Sequence, residues 1–423
     1  MSSIPNFQEK LAKYADVIIR IGLNVQPGQR VLIGTPTISQ VGAPIYQAPL
    51  VRECVRAAYQ AGAVFVDVLW DDPEVRLARF KYAPRDSFDL HNDWLATALM
   101  EYANRADAIL TISAVDPDMM KGHDPELISK VQKTALQTRR DYSDKVAKGD
   151  MNWCVVTAPV PGWSDKLFPD VEPGRREDAF WETLFALCRI DQPDPIAAWQ
   201  AHVKNLLARA AYLNGKQYAA LHYQAPGTDL RVGLPQGQVW QGAQMMARNG
   251  IRFTANIPTE EVFSMPHRDK IDGTVTATKP LNYGGALIEN FSLHFENGRV
   301  VNSTAKTGNE LLTGILNTDE GARSLGEVAL VPHSSPISKT GRLFYSILID
   351  ENASNHLALG RAYRFSIEGG EDMSEEQFAA EGGNTSLIHI DFMIGSDKMD
   401  VDGITTDGRV EPVLRSGEWA FEV

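Results

Sequence analysis

Two hydrophobic rhythms alternate along the first half of the chain. Short apolar runs at RVLIG (30–34), AVFVDVLW (63–70), DAILTISA (107–114) and NWCVVTAP (152–159) read as buried strands. Stretches with helical spacing separate them. In PLVRECVRAAYQAG (49–62), Leu50, Val51, Cys54, Ala58 and Ala61 share one face, and Gly62 supplies a stop. Further helices are expected over 88–106 and from Pro125 to Lys148. Repeated strand-helix-strand units predict an α/β domain with a largely parallel sheet, helices covering both faces. No Gly-x-Gly-x-x-Gly follows the first strand, so a dinucleotide site of the usual kind is not supported.

The rhythm changes near residue 215. A helix ends at about Asn214-Gly215, and strand-like segments then dominate: TDLRVGL (228–234), GTVTATKPL (273–281) and ENFSLHFENGRVV (289–301). The last contains Asn297-Gly298, a two-residue hairpin signal. One helix, over ELLTGILNTDEGARSLGE (310–327), is expected to interrupt the run. The reading is therefore an N-terminal α/β domain over 1–215 and a β-rich α+β domain over 216–423. A length of 423 residues independently calls for more than one core.

Composition changes this picture little. The chain is 43% hydrophobic and 22% charged, ordinary for a globular protein, and no apolar run is long enough for a membrane span. A formal charge of −13 argues against nucleic acid or an anionic membrane as partner. The three cysteines lack metal or redox spacing, and no secretory signal is evident, so a cytoplasmic location is expected.

Groups capable of chemistry concentrate in the second half. Five of the nine histidines (His267, His294, His333, His356 and His389) fall between 260 and 391, together with Glu260, Glu261, Glu327 and Asp391. Strand alternation in LIHIDFM places Ile388, Ile390 and Phe392 on one face and His389 with Asp391 on the other. Glu327 precedes a run of four apolar residues, and Asp391 sits between Ile390 and Phe392. A cation is one way to keep such carboxylates ionised when they are buried. A solvated strand face, a glutamate at a helix end and first-turn acids at Glu260-Glu261 account for the same pattern. No His-Glu-x-x-His or paired Cys-x-x-Cys decides between these alternatives.

The segments NIPTEEVFSMPHRDKIDGTV, NTDEGARSLGEVALVPHSSPIS, FYSILIDENASNHLALGRAY and NTSLIHIDFMIGSD resemble those of the aminopeptidase T and aminopeptidase S family of metallo-aminopeptidases. IGLNVQPGQRVLI, KLFPD and GTDLRVGLPQGQVWQGA resemble it too, in the same order along nearly the whole chain. TPTISQVGAPIYQAP (35–49) departs from the family as a longer loop. The resemblance implies a two-metal centre held by Glu261, Glu327, His356, His389 and Asp391, with a functional tyrosine at Tyr363. It implies short peptides as substrates, an enclosed site and a homodimer. Glu261 rather than Glu260 is taken as the ligand because its spacing to Glu327 matches the family.

That set is chemically coherent. Three carboxylates and one bridging hydroxide balance two divalent cations, which suits a partly buried site. Nitrogen with carboxylate favours Zn2+, Co2+ or Mn2+ over Ca2+, with Mg2+ as a further option. Glu327 is the first candidate to bridge the ions or take the proton of the attacking water. Tyr363 lies seven residues after His356, on the same side if that segment is helical, and is the candidate oxyanion donor. Two other readings remain: a dinuclear hydrolase of another amide or ester, and a two-domain binding protein without catalysis. Blocked peptides test the first, and metal analysis tests the second.

Overall fold

The computed structural model describes residues 2–37, 40–283 and 286–423. Ile38 and Ser39, in the longer loop at 35–49, lie outside the described residues. The chain forms two compact units, Met1–His202 with Gln244–Pro258, and Val203–Ala243 with Thr259–Val423. No described helix is long and apolar enough to cross a membrane.

In the first unit the four expected strands pair in parallel, and a short strand that was not expected, Asn256–Ile257, adds to one edge. The order is Asn256–Ile257, Trp153–Thr157, Ala108–Ser113, Arg30–Ile33 and Phe65–Val68. The helix Ala48–Gln60 buries Leu50, Val51, Cys54 and Ala58, as its spacing anticipates, together with Ala57, whereas Ala61 caps the helix and is only partly buried. The single helix expected from Pro125 to Lys148 is instead two, Pro125–Thr138 and Arg140–Ala147. Arg139 leaves helical geometry between them, with φ −103° and ψ 12°. Its guanidinium donates to the Thr37 carbonyl, a tertiary anchor that local spacing does not reveal.

The second unit is β-rich, as expected, and holds a nine-stranded antiparallel sheet and a five-stranded sheet. The hairpin between Ala286–Glu296 and Arg299–Thr307 turns at Asn297 and Gly298, both with positive φ, as a two-residue hairpin turn requires. One core cluster draws side chains from both sheets, among them Leu221, Tyr223, Val232, Ile271 and Leu293 with Val262, Val328, Leu357 and Ile390. Each such residue contributes about 1.5–3 kcal/mol of burial free energy.

The helix expected over 310–327 is much shorter, Asn309–Leu316. After one turn of 3-10 helix at Gly321–Arg323 the chain becomes the strand Leu325–Leu330. Every residue of that strand is buried, and partners on both sides decide its conformation. Glu327 is thus in a strand interior, not at a helix end.

Candidate metal centre

The five-stranded sheet runs His389–Met393, His356–Gly360, Leu325–Leu330, Val262–Ser264 and Gln241–Gly242. Cross-strand register sorts its residues onto two faces. Leu325 opposes Leu359, Val328 opposes Leu357, and Leu357 and Leu359 oppose Phe392 and Ile390. All six belong to the core cluster. On the other face Glu327 opposes Ala358, which opposes Asp391; Ala329 opposes His356, and Gly360 opposes His389. The polar groups therefore share one face, separated by residues no larger than alanine.

Plain alternation does not produce this arrangement. Leu325 and Glu327 are two apart and would share a face in a regular strand. The ladder shifts register between them, leaving Gly326 as the extra residue of a β-bulge. A Cβ on Gly326 would collide with the backbone carbonyl oxygens of Gly360 and Arg361. Only glycine fits there. The bulge keeps Leu325 in the core and turns Glu327 towards the histidines.

The result is two overlapping trios, Glu261, Glu327, His356 and Glu327, His389, Asp391, whose donor atoms lie within 4.8 Å of one another in each. His356 Nε2 is 3.1 Å from Glu261 Oε2 and 3.5 Å from Glu327 Oε1. His389 Nε2 is 3.6 Å from Glu327 Oε2 and 3.4 Å from Asp391 Oδ1. Glu327 thus presents one oxygen to each trio. His356 Nδ1 lies 3.1 Å from the Ser354 carbonyl oxygen, and His389 Nδ1 lies 2.7 Å from that of Arg361. A carbonyl only accepts, so Nδ1 carries the proton in both rings and Nε2 of each neutral imidazole points a lone pair into the cluster. Glu261 Oε2, His356 Nε2 and Asp391 Oδ1 are buried without a hydrogen-bond partner among the described residues. Lone pairs converging without donors repel one another, and divalent cations relieve that repulsion. The donor set fits them.

Protons are the competing occupants. Burial pushes Glu327 up to about 7, partly offset by His356. Burial disfavours the His389 cation, but Asp391 and Glu327 outweigh it and lift the ring to about 9. His356 is raised in the same way, burial being overcome by Glu261 and Glu327. Burial also works against charge on Asp391, yet His389 holds its carboxyl below the usual range.

At Glu327, His356 and His389 the folded chain binds protons more tightly than the unfolded chain. Stability from these groups is therefore greatest at low pH and is lost as pH rises through the folded values of about 7 for Glu327 and about 9 for His389. The chelated protein is expected to melt at progressively lower temperature from about pH 5 to about pH 9, relative to the metal-loaded protein, because cations replace the protons. Calorimetric melting at several pH values checks this. A constant difference between the two forms would remove the proton–metal competition.

The other expected residues are placed as follows. Tyr363 is not helically related to His356, because His356–Gly360 is a strand. Its ring reaches the site by another route, the turn after Gly360, and lies 4.8 Å from the His389 ring. Glu260 is buried beside Glu261, its backbone N–H donating to Asn352 Oδ1 at 2.7 Å, but it belongs to neither trio. Both precede the strand Val262–Ser264 and are not in a helical first turn.

One group escaped the sequence reading. Glu351 is buried, and its carboxyl is pushed well up by burial first and then by the charges of Asp391 and Glu261. The available signal was an acidic residue inside LIDENASNH. Its neighbour Asp350 shows why the segment turns inward, accepting from the backbone N–H groups of Phe344 and Ser346 at 2.8 and 3.1 Å.

Residues 7–419 match the family model described as Thermophilic metalloprotease (M29). The chain belongs to that family. It is 45% identical over 417 residues to Aminopeptidase 2 of Geobacillus stearothermophilus, covering 99% of each chain. The solved structure of wild-type AmpT from Thermus thermophilus matches with a TM-score of 0.90 and 40% identity, over 98% of this chain and 100% of that one. A 2,5-dihydroxypyridine dioxygenase from Pseudomonas putida is similar in fold alone, with a TM-score of 0.54 at 13% identity over 99% of each chain. One fold thus carries different chemistries, and the site must decide between them. Family membership makes this chain a metalloprotease, a hydrolase of peptide bonds that uses divalent metal.

Proposed function

We propose that the protein is a metal-dependent aminopeptidase that releases the N-terminal residue of short peptides. Two divalent cations would be shared among Glu261, Glu327, His356, His389 and Asp391. The observation that carries the reading is the placement of Glu327, one carboxylate oxygen facing each trio. Bound there, the cations would polarise the scissile carbonyl and lower the pKa of the attacking water. Zn2+, Co2+ and Mn2+ suit nitrogen with carboxylate donors, and Mg2+ is a weaker fit.

The chain's own groups supply the rest. The Nδ1 hydrogen bonds hold both imidazoles in the tautomer that leaves Nε2 available. Tyr363, beside His389, is assigned the donor to the developing oxyanion through its hydroxyl. Glu260, buried beside Glu261, is assigned the carboxylate that favours a substrate's α-ammonium over its α-carboxylate. The aminopeptidase name of the close relative supports the choice of the N-terminal end. A homodimer is proposed from the family resemblance, and a cytoplasmic location from the three sparse cysteines.

Dialysis against a strong chelator should abolish release of the first residue from an unblocked tripeptide, and Zn2+, Co2+ or Mn2+ should restore it. The N-acetylated tripeptide should stay intact. Equal cleavage of the acetylated peptide would reject the aminopeptidase reading in favour of a broader amide hydrolase. Full turnover by protein shown to be metal-free would reject the metal centre.

A further inference from the structure

At the end of the polar cluster away from Tyr363 sits a cation that the proposed chemistry does not use. The strand His389–Met393 carries His389, Asp391 and Met393 on one face, and Met393 opposes His356. Thr278 fastens a neighbouring segment to that end. Its backbone N–H donates to the Met393 carbonyl at 2.9 Å, and its hydroxyl donates to the Gly395 carbonyl at 2.9 Å. Asn282 ties the same segment to a loop, its Nδ2 donating to the Tyr345 carbonyl at 2.9 Å. Lys279 lies between these two anchors.

The loop is held in turn by Asp350, whose Oδ1 accepts from the Phe344 N–H and whose Oδ2 accepts from the Ser346 N–H. Both carboxylate oxygens are thus committed to the main chain. Among the described residues no carboxylate forms an ion pair with Lys279. Lys279 is half-buried, and burial pulls its ammonium below the usual lysine range, opposed by the more distant charge of Asp350. An ammonium that has lost water without gaining a contact partner favours an anion that can reach it. Glu351, next to Asp350, feels the charges of Asp391 and Glu261, so this corner adjoins the cluster.

The substrate supplies such an anion. A short unblocked peptide carries an α-ammonium at one end and an α-carboxylate at the other. With the ammonium among the carboxylates of the centre, the carboxylate must find a cation one or two residues beyond the scissile bond. Asp391 and Met393 are two strand residues apart, about 7 Å, which about two residues of extended peptide also span. Arg361, at the His389 end, is already engaged, its Nε donating to the Ser386 carbonyl at 3.1 Å.

We infer that Lys279 binds the C-terminal carboxylate of a dipeptide or tripeptide substrate, so that the enzyme selects peptides by the distance between their two charged ends. The inference rests on the aminopeptidase reading. A C-terminal amide offers Lys279 no charge, and a long peptide carries its carboxylate past the lysine.

The test uses the metal-loaded full chain and the variants Lys279→Met and Lys279→Arg. Hydrolysis of leucyl-leucine, leucyl-leucyl-leucine and their C-terminal amides is measured as kcat/KM. Calorimetry follows binding of the reduced-bond analogue of leucyl-leucine, which cannot be hydrolysed, and of its amide. The unsubstituted protein should favour the free acid over the amide about 10- to 100-fold for the dipeptide or the tripeptide. Lys279→Met should bring that ratio to within about threefold of unity, and the analogue should lose its preference in parallel. Lys279→Arg, which keeps the positive charge, should retain most of the preference.

Equal use of acid and amide at both lengths by the unsubstituted protein would overturn the inference, whether or not the methionine variant folds. So would an acid-to-amide ratio that survives Lys279→Met. Release from no unblocked peptide at all would sink the aminopeptidase reading instead. The calorimetric preference for the free acid, and its loss in Lys279→Met, then judges the lysine separately.

Discussion

Glu327→Gln is expected to cost at least about 10³-fold in turnover, the scale seen when a central charged group leaves a catalytic site. The reason is positional. Glu327 is the one carboxylate that both trios share, so its change weakens both halves at once. An amide is isosteric but neutral and offers a single acceptor oxygen, leaving one trio with an N–H where it needs a lone pair. Metal analysis of the purified variant should show loss at both positions, whereas Asp391→Asn should affect chiefly the half containing His389. Folding should survive. Burial already pushes the Glu327 carboxyl up to about 7, so the metal-free protein gains stability at alkaline pH when that charge is removed. Full metal content in Glu327→Gln would show that the carboxylate does not join the two halves.

Gly326→Ala is expected to be nearly as damaging, although glycine has no chemistry. The added methyl would run into the carbonyl oxygens of Gly360 and Arg361, which are main-chain atoms and cannot rotate away. Relief requires the bulge to move or the two strands to part. Overpacking of this kind costs about 1–3 kcal/mol, and a rigid backbone neighbour places it at the upper end. The activity loss should exceed what destabilisation alone predicts, because moving the bulge also re-aims Glu327. A thermal melt with metal titration separates the two effects. A variant that melts lower yet binds metal normally would mean that the bulge serves packing only.

These residues also show where sequence reasoning succeeds and where it stops. Alternation within LIHIDFM was enough to set His389 and Asp391 on the face away from Ile390 and Phe392, because a strand's period is local. The parallel sheet of the first unit was legible for a similar reason. Glu327 was not. Its expected helix ended early, and its orientation follows from pairing with His356–Gly360, about thirty residues further on. Register and bulges are properties of two strands together and have no single-strand signature. Tyr363 likewise reaches His389 through tertiary structure and not through helical spacing, because the segment after His356 is a strand. Glu351 stayed hidden because an acid beside another acid in a turn looks like surface until the fold buries it.

The anchoring of the two imidazoles has a consequence for how such a centre can change. His356 and His389 both hand their Nδ1 proton to main-chain carbonyls, at Ser354 and Arg361, and neither relies on a carboxylate or hydroxyl side chain. Main-chain acceptors persist through any substitution at those positions. Ring orientation is therefore inherited from the course of the backbone and is insulated from point mutation in the surrounding shell. Adjusting metal preference by redesign must act on the donor residues themselves or on the path of the loops at 354 and 361, a far coarser lever than swapping a neighbouring side chain.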